Sequence, residues 1–335
     1  MPRSARLDAP GVLHHIIVRG IERRSIFKDD KDRENLLERL SILLPETKTA
    51  CYSWALMPNH GHLLLRSGET GISQLMRRLL TGYAVYFNLR HNRHGPLFQN
   101  RYKSIICQED SYFRELVRYI HLNPIRGGVV GDLNALNKYA YTGQSALMGH
   151  RQRPWQDSRY VLSYFGKGRL AARKRYLAYV RDGLDQGRRP ELTGGGLIRT
   201  LGGWEEVKEK RSRDHERIKS DERILGDSDF VASILAEANE KMNRHYEMKS
   251  RGFDLSRVEQ RVMEIFEIGR AALYLKGRRS KQVEARSVLC YWAVRELGLS
   301  TTEMARRLGM TQPGVGYAVS RGEMIVKKMK YNLNE

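Results

Sequence analysis

Over its first 130 residues the chain changes repeatedly between two periodicities of apolar positions. Val12–Val18 (VLHHIIV) is rich in β-branched side chains and ends at Arg19-Gly20, which predicts a strand. Asp29-Asp30 can cap a helix whose apolar residues Leu36, Leu37, Leu40, Leu43 and Leu44 recur at helical spacing. Cys51–Met57 (CYSWALM) predicts a second strand, Pro58-Asn59 a turn, and His60–Leu65 (HGHLLL) a third strand paired with it as a hairpin. Ile72 to about Arg90 predicts a longer helix with Leu75, Leu79, Tyr83 and Phe87 on one stripe, and Arg101–Cys107 (RYKSIIC) a fourth strand. A last helix, opened by Asp110 or Ser111, carries Phe113, Leu116, Val117 and Ile120. It is expected to stop near Asn123-Pro124, because the residue before a proline disfavours the αR region.

The resulting order, βαββαβ and a helix, is that of the ferredoxin-like α+β fold. It predicts an antiparallel sheet with helices on one face, leaving the other face to build a site or receive a ligand. Further along, Arg169–Val180 (RLAARKRYLAYV) reads as a basic amphipathic helix, and four helices are expected from Leu255 onward. Ser300–Leu308, the turn Gly309-Met310-Thr311 and Gln312–Arg321 make a helix-turn-helix candidate, with Thr311 able to cap the second helix and Pro313 suited to its first turn. We therefore divide the chain into a first domain at 1–135, a basic helical linking region at 136–254 and an all-α helix-turn-helix domain at 255–335.

Charge narrows the class of partner. Fifty-nine Lys and Arg against 38 Asp and Glu leave a net +21, which points to a polyanion, because neutralising phosphates releases condensed counterions. The surplus is uneven: residues 201–250 hold 10 basic and 12 acidic side chains, whereas residues 251–335 hold 16 and 9. That acidic dip, with the glycines of 193–197 and 202–203, marks a junction between two basic modules. Cys51, Cys107 and Cys290 form no CxxC pair, which argues against a disulfide framework and a thiolate zinc site and fits a reducing compartment. No apolar run is long enough to span a bilayer and Met1–Pro10 is no signal peptide, so a cytoplasmic protein without membrane partners is expected.

The chemistry gathers at two places. Residues i and i+2 of a strand share a face, so His60 and His62 project together while Gly61 points away and leaves room behind it. Such a pair can coordinate one metal ion, but taken alone it reads more readily as two half-buried rings with hydrogen-bond partners. On the following helix Tyr119 and Asn123 are four apart and leave one face. Asn123 offers a hard carbonyl oxygen, and an N,N,O set with open positions suits Mg²⁺ or Mn²⁺ better than a closed structural zinc. Tyr119 is a candidate nucleophile one turn from that ligand. Its phenol needs a base, a metal or a cationic surround to act near neutral pH, and a packing aromatic is the commoner fate of such a residue. Arg118 and Arg126, near the end of the helix, can help to neutralise a phosphate. Tyr83, Tyr86 and Tyr102 are rival nucleophiles, but none has a candidate ligand at i+4.

The run Met57-Pro58-Asn59-His60-Gly61-His62-Leu63-Leu64, followed by Tyr119-Ile-His-Leu-Asn123-Pro124, resembles the HUH single-tyrosine transposases, and more narrowly the REP-associated tyrosine transposases of bacteria. Gly11, His15, Arg19-Gly20 and Phe98-Gln99-Asn100-Arg101-Tyr102-Lys103 extend the likeness over residues 1–130. The resemblance implies a ferredoxin-like core, a divalent metal on His60 and His62 with Asn123 as third ligand, and Tyr119 as nucleophile. It further implies cutting and rejoining of single-stranded DNA at hairpins through a 5′-phosphotyrosine, with no nucleotide cofactor. Gly61 departs from the bulky apolar residue usual between the two histidines. Backbone and base contacts are expected from Arg77, Arg78, Arg101 and Lys103.

Residues 255–325 separately resemble the C-terminal DNA-binding domain of the bacterial chromosome-replication initiator, through Gly277-Arg-Arg-Ser-Lys281, Glu284-Ala-Arg286, Glu303-Met-Ala-Arg306-Arg307-Leu-Gly309 and Gln312. The acidic-His-polar signature of that domain's second helix is absent here. Duplex DNA is the partner this likeness implies, held by Lys281, Arg286, Arg306 and Arg307, with Gln312, Tyr317 and Arg321 nearest the bases. Two other readings of the whole chain stay open at this stage. One is a DNA-binding regulator that keeps the fold without catalysis, and the other is a metal-dependent hydrolase with a water nucleophile. A monomer is expected.

Overall fold

The structure is a computed structural model that describes residues 7–69, 71–187, 189–193, 221–237, 254–275 and 280–333. Its first elements are β1 (Leu13–Arg19), α1 (Asp30–Glu46), β2 (Ala50–Met57), β3 (His60–Arg66), α2 (Ile72–Arg90), β4 (Lys103–Cys107) and α3 (Glu109–Arg126). Asp29 caps α1 by accepting from the Asp32 amide at 3.1 Å, as its position ahead of the leucine stripe predicts. The sheet order is β2-β3-β1-β4-β5, with the first four strands antiparallel in the ferredoxin-like arrangement. β5 (Ile224–Leu225) joins parallel to β4 and makes the sheet mixed.

Helices cover both faces of the sheet rather than one. The reason lies in the strands, which are apolar on both sides. Ile16, Val18, Trp54, Leu63 and Leu65 pack with the leucines of α1 and with Leu75, Leu79 and Tyr83 of α2. Their strand neighbours Leu13, Tyr52, Ala55, Leu64 and Ile105 pack with Phe113, Leu116, Val117 and Ile120 of α3. The site therefore lies between the sheet and α3, not on an open face.

Pro124 does not end α3, which continues to Arg126. The missing N–H of a proline orphans the carbonyl four residues back. Here the Asn123 side-chain amide stands in, with Nδ2 donating to the Tyr119 carbonyl at 3.0 Å and to that of Ile120 at 3.4 Å. The consequence is that Asn123 Nδ2 is held on the helix while Oδ1 is left to point elsewhere.

α4 (Leu133–Lys138), α5 (Gly143–Met148), α6 (Ser158–Ser163) and α7 (Arg169–Arg181) continue the second core, where Leu136, Leu147, Val161 and Tyr176 bury against α3. Contacts divide the chain into residues 1–236 and 237–335, so packing with the sheet extends well beyond the expected boundary at 135. Of the glycine-rich junction read at 193–203, only Thr193 falls among the described residues.

The second unit is helical: α8 (Leu255–Phe266), α9 (Arg270–Tyr274), α10 (Ser280–Arg295), α11 (Thr301–Leu308) and α12 (Gln312–Met329). Val258, Val262, Val288, Leu289, Trp292, Met304, Leu308, Val315 and Val319 form its core. Ser300 caps α11, Gly309 ends it with a left-handed φ of 60°, and Thr311 caps α12. α12 runs past the expected stop at Arg321, through Gly322 and on to Met329. Its close approach to α10 needs Gly322, where an added Cβ would lie 2.0 Å from the Ser287 carbonyl oxygen. Gly322→Ala is expected to destabilise this unit by roughly 1–3 kcal/mol, as overpacking does. Urea unfolding followed at Trp292 checks this, and an unchanged midpoint contradicts it.

Candidate active site

Parity along the strands assembles the site. His15 on β1 and His60 and His62 on β3 face α3, since Leu13, Leu64 and Ile105 on the same rows pack against that helix. The His60 and His62 rings stand 5.2 Å apart, centroid to centroid, and His62 lies 5.9 Å from the Tyr119 ring. Gly61 points the opposite way, as expected, but the space behind it is filled. A Cβ there would meet Val18 at 3.3 Å and Leu56 at 3.4 Å, which accounts for glycine at this position. Asn123 leaves the same turn of α3 as Tyr119, and Gly127 beyond it abuts Met57, the residue paired with His60 across the hairpin.

Hydrogen bonds fix how each imidazole presents itself. Asn59 Nδ2 donates to the Arg23 carbonyl at 3.1 Å, so its Oδ1 faces His60 and accepts from His60 Nδ1 at 2.6 Å. His15 Nδ1 donates to the Leu192 carbonyl at 3.0 Å, which leaves its Nε2 to accept from His62 Nδ1 at 2.9 Å. Both His60 and His62 thus keep a bare Nε2, the form in which imidazole binds a metal. Burial lowers the pKa of His15 and of His60 to about 4, with Arg19 adding to the effect at His60. His62 is pushed well below the ordinary value by burial, then by its two histidine neighbours and Arg19. All three are neutral at pH 7. The two bare nitrogens are of the type that binds a divalent cation, and the Asn123 amide oxygen is of the type that could complete an N,N,O set. Among the described residues, no group of three or more His, Cys, Asp or Glu side chains is arranged to hold a metal.

Tyr119 is half-buried, and among the described residues its hydroxyl has no hydrogen-bond partner. Burial raises its pKa, while Arg126 and Arg19 pull the other way. The Arg126 guanidinium lies 5.5 Å from the Tyr119 ring and gives one N–H to the Gly183 carbonyl. Among the described residues its Nε and Nη1 are buried without a partner, so two charged donors remain beside the phenol. The rival tyrosines belong to the other face. Tyr83 is fully buried against α1 and bonds the Ile26 carbonyl, and Tyr86 and Tyr102 pack with that same core.

Arg118, expected beside a phosphate, is only 6% exposed and is turned to internal partners. It donates to Glu115, the Tyr179 carbonyl and Gln186, and stacks on Tyr179. Arg77 and Arg101 line a groove of about 610 Å³ floored by Met76, Leu80, Phe98 and Tyr102. Arg78 pairs with Glu46, and Lys103 donates to the Thr193 carbonyl. In the second unit Arg286 bonds the Leu275 and Gln282 carbonyls, and Gln312 bonds Thr301 and Thr302. Lys281 pairs with Glu267 and Arg307 with Glu303, whereas Arg306, Tyr317 and Arg321 are exposed. The residue-by-residue reading did not single out Arg19. It stands two pairs of positions beyond His15 on β1, directly across from His60, so strand parity was enough to find it.

Residues 10–123 match the family model described as transposase IS200 like. Over those residues the chain is similar to IS200-like transposases. Proteins of that family are generally enzymes that bind and transpose DNA. Among solved structures, one described as the REP associates tyrosine transposase bound to a REP hairpin matches at 18% identity, with a TM-score of 0.37, over 47% of this chain and 90% of that one. No curated protein matches the chain. No helix among the described residues is long and apolar enough to cross a membrane.

Proposed function

We propose that the IS200-like domain is a metal-dependent single-stranded DNA endonuclease and strand transferase with Tyr119 as nucleophile, acting on hairpin repeats. The observation that supports this most is that the His60, His62 and Tyr119 rings gather on one face of the sheet, with neighbouring centroids 5.2 and 5.9 Å apart, and that hydrogen bonds to Nδ1 leave Nε2 of both histidines bare. His60 and His62 through Nε2, and Asn123 through Oδ1, would hold Mg²⁺ or Mn²⁺, which when bound supplies Lewis-acid polarisation of a non-bridging phosphate oxygen. Arg126 donates its free N–H groups to the same phosphate. Tyr119 Oη attacks phosphorus in line, and the bond to the departing 3′ oxygen breaks. The products are a 5′-phosphotyrosine and a free 3′-OH, the phenolic proton passing through solvent to the departing 3′ oxygen. Because the ester is exchanged and not hydrolysed, attack by another 3′-OH rejoins the strand without a nucleotide cofactor.

A labelled single-stranded hairpin taken from repeats beside the gene tests this directly. Cleavage should need Mg²⁺ or Mn²⁺, stop with a chelator and return on metal addition. Metal-independent cutting sinks the metal site, and tight binding without cutting under either ion favours a non-catalytic regulator.

Duplex binding is assigned to residues 255–335, with exposed Arg306, Tyr317 and Arg321 facing the DNA. Deleting these residues should weaken duplex binding and flatten its dependence on log salt by about 0.9 per lost phosphate contact. An unchanged salt slope in a filter-binding titration refutes the assignment.

A further inference from the structure

We infer that His15 and the backbone of Leu192 form a built-in part of the metal site, a relay that holds His62 in its metal-binding tautomer. The inference rests on the reading of His62 as a ligand and adds residues to it, one of them outside the 10–123 domain. The chain of donors and acceptors has one solution. A carbonyl oxygen only accepts, so the 3.0 Å contact to Leu192 requires the proton of neutral His15 on Nδ1. Its Nε2 is then an acceptor, and the 2.9 Å contact places the His62 proton on Nδ1. What remains on His62 is a bare Nε2. The rings of His15 and His62 are stacked at 5.2 Å, and neither is more than 4% exposed. Water cannot readily replace the contact.

The arrangement parallels the one at His60, where Asn59 plays the part of His15 and the Arg23 carbonyl that of Leu192. Each proposed ligand is steered by one side chain that is itself fixed by a main-chain carbonyl. The difference is distance along the chain. Asn59 adjoins His60, whereas Leu192 lies 177 residues from His15 and comes from the short turn Pro190–Thr193. Leu192 is buried in the core shared with α3, and its neighbour Thr193 accepts from Lys103 on the adjacent strand, so the turn is held over β1 from two sides. His15 touches neither DNA nor metal in this account and is a positioning residue.

The test uses the full-length protein. Long-range ¹H–¹⁵N spectra of the metal-free wild type should show His62 protonated on Nδ1 and bare on Nε2. Mn²⁺ titrations followed by electron paramagnetic resonance then compare His15→Phe, which removes the acceptor, with His15→Gln, which keeps one. Second-shell loss predicts a weakening of roughly 10- to 100-fold for His15→Phe, and His15→Gln should stay within about threefold of wild type. A proton on His62 Nε2 overturns the relay, even if His15→Phe proves unfolded. Wild-type affinity in a folded His15→Phe protein overturns it too. If wild type binds no Mn²⁺, or His62→Ala binds as tightly, the metal site itself is wrong and the relay falls with it. Binding that needs His62 but ignores His15 defeats the relay alone.

Discussion

Tyr119→Phe is expected to lower hairpin cleavage by at least about 10³-fold, on the scale seen when an enzyme loses its nucleophile. Stability should stay within about 1 kcal/mol of wild type. The contrast follows from the structure: the hydroxyl has no partner among the described residues, so removing it breaks no hydrogen bond of the fold. The ring keeps its edge contacts with His15 and His62 and its place under Arg126. Hairpin affinity and urea midpoint, measured beside cleavage, separate a lost nucleophile from a damaged fold. Cutting that survives the substitution indicates water as nucleophile.

The second large effect concerns acid. His14, His15, His62 and His121 are each 4% exposed or less. Burial lowers the pKa of His14 and His15 to about 4 and that of His121 to about 3, and lowers His62 well below its ordinary value. Among the described residues Nε2 of His121 is buried without a partner, whereas at His14 the Asp8 carboxylate and the Ala9 carbonyl offset part of the burial. A folded pKa below the unfolded value near 6.5 means that the unfolded chain takes up protons first as pH falls. Stability is therefore complete above about pH 6.5 and declines from there toward pH 4. Each histidine contributes a slope of about 1.4 kcal/mol per pH unit in that window. Against a typical total of roughly 5–15 kcal/mol, four such groups should remove most of the stability of the first unit by about pH 5. Urea titrations at pH 7.5, 6 and 5 check this, and a flat profile shows that the histidines are solvated or paired with acids.

The α+β order and the second-unit helices were legible because their signals are local. β-Branched content set β1, the Pro58-Asn59 turn set the β2–β3 hairpin, and the leucine spacing set α1. Alternation along the strands put His60 and His62 on one face and could have added His15 and Arg19. What the sequence hid depends on distant partners. β5 is two residues long and pairs with β4 across more than a hundred residues, so it has no periodicity to read. The covering of both sheet faces was misjudged because the βαββαβ order was taken to leave one face open, whereas Leu13, Tyr52 and Ile105 are as apolar as their neighbours. Pro124 misled in the ordinary way: a proline in the last turn costs one hydrogen bond, and Asn123 beside it replaces that bond. Arg118 looked like a phosphate ligand from its position alone, and only Glu115, Tyr179 and Gln186 reveal its internal role.

The measurement closest to the central claim identifies the residue that becomes joined to DNA. Full-length protein is incubated with Mn²⁺ and a hairpin, denatured, digested with nuclease and protease, and its peptides are sequenced by mass spectrometry. The account predicts a 5′-phosphodeoxynucleotide on Tyr119, absent when metal is chelated. Modification of a different tyrosine, or cleaved DNA with no protein adduct, contradicts it.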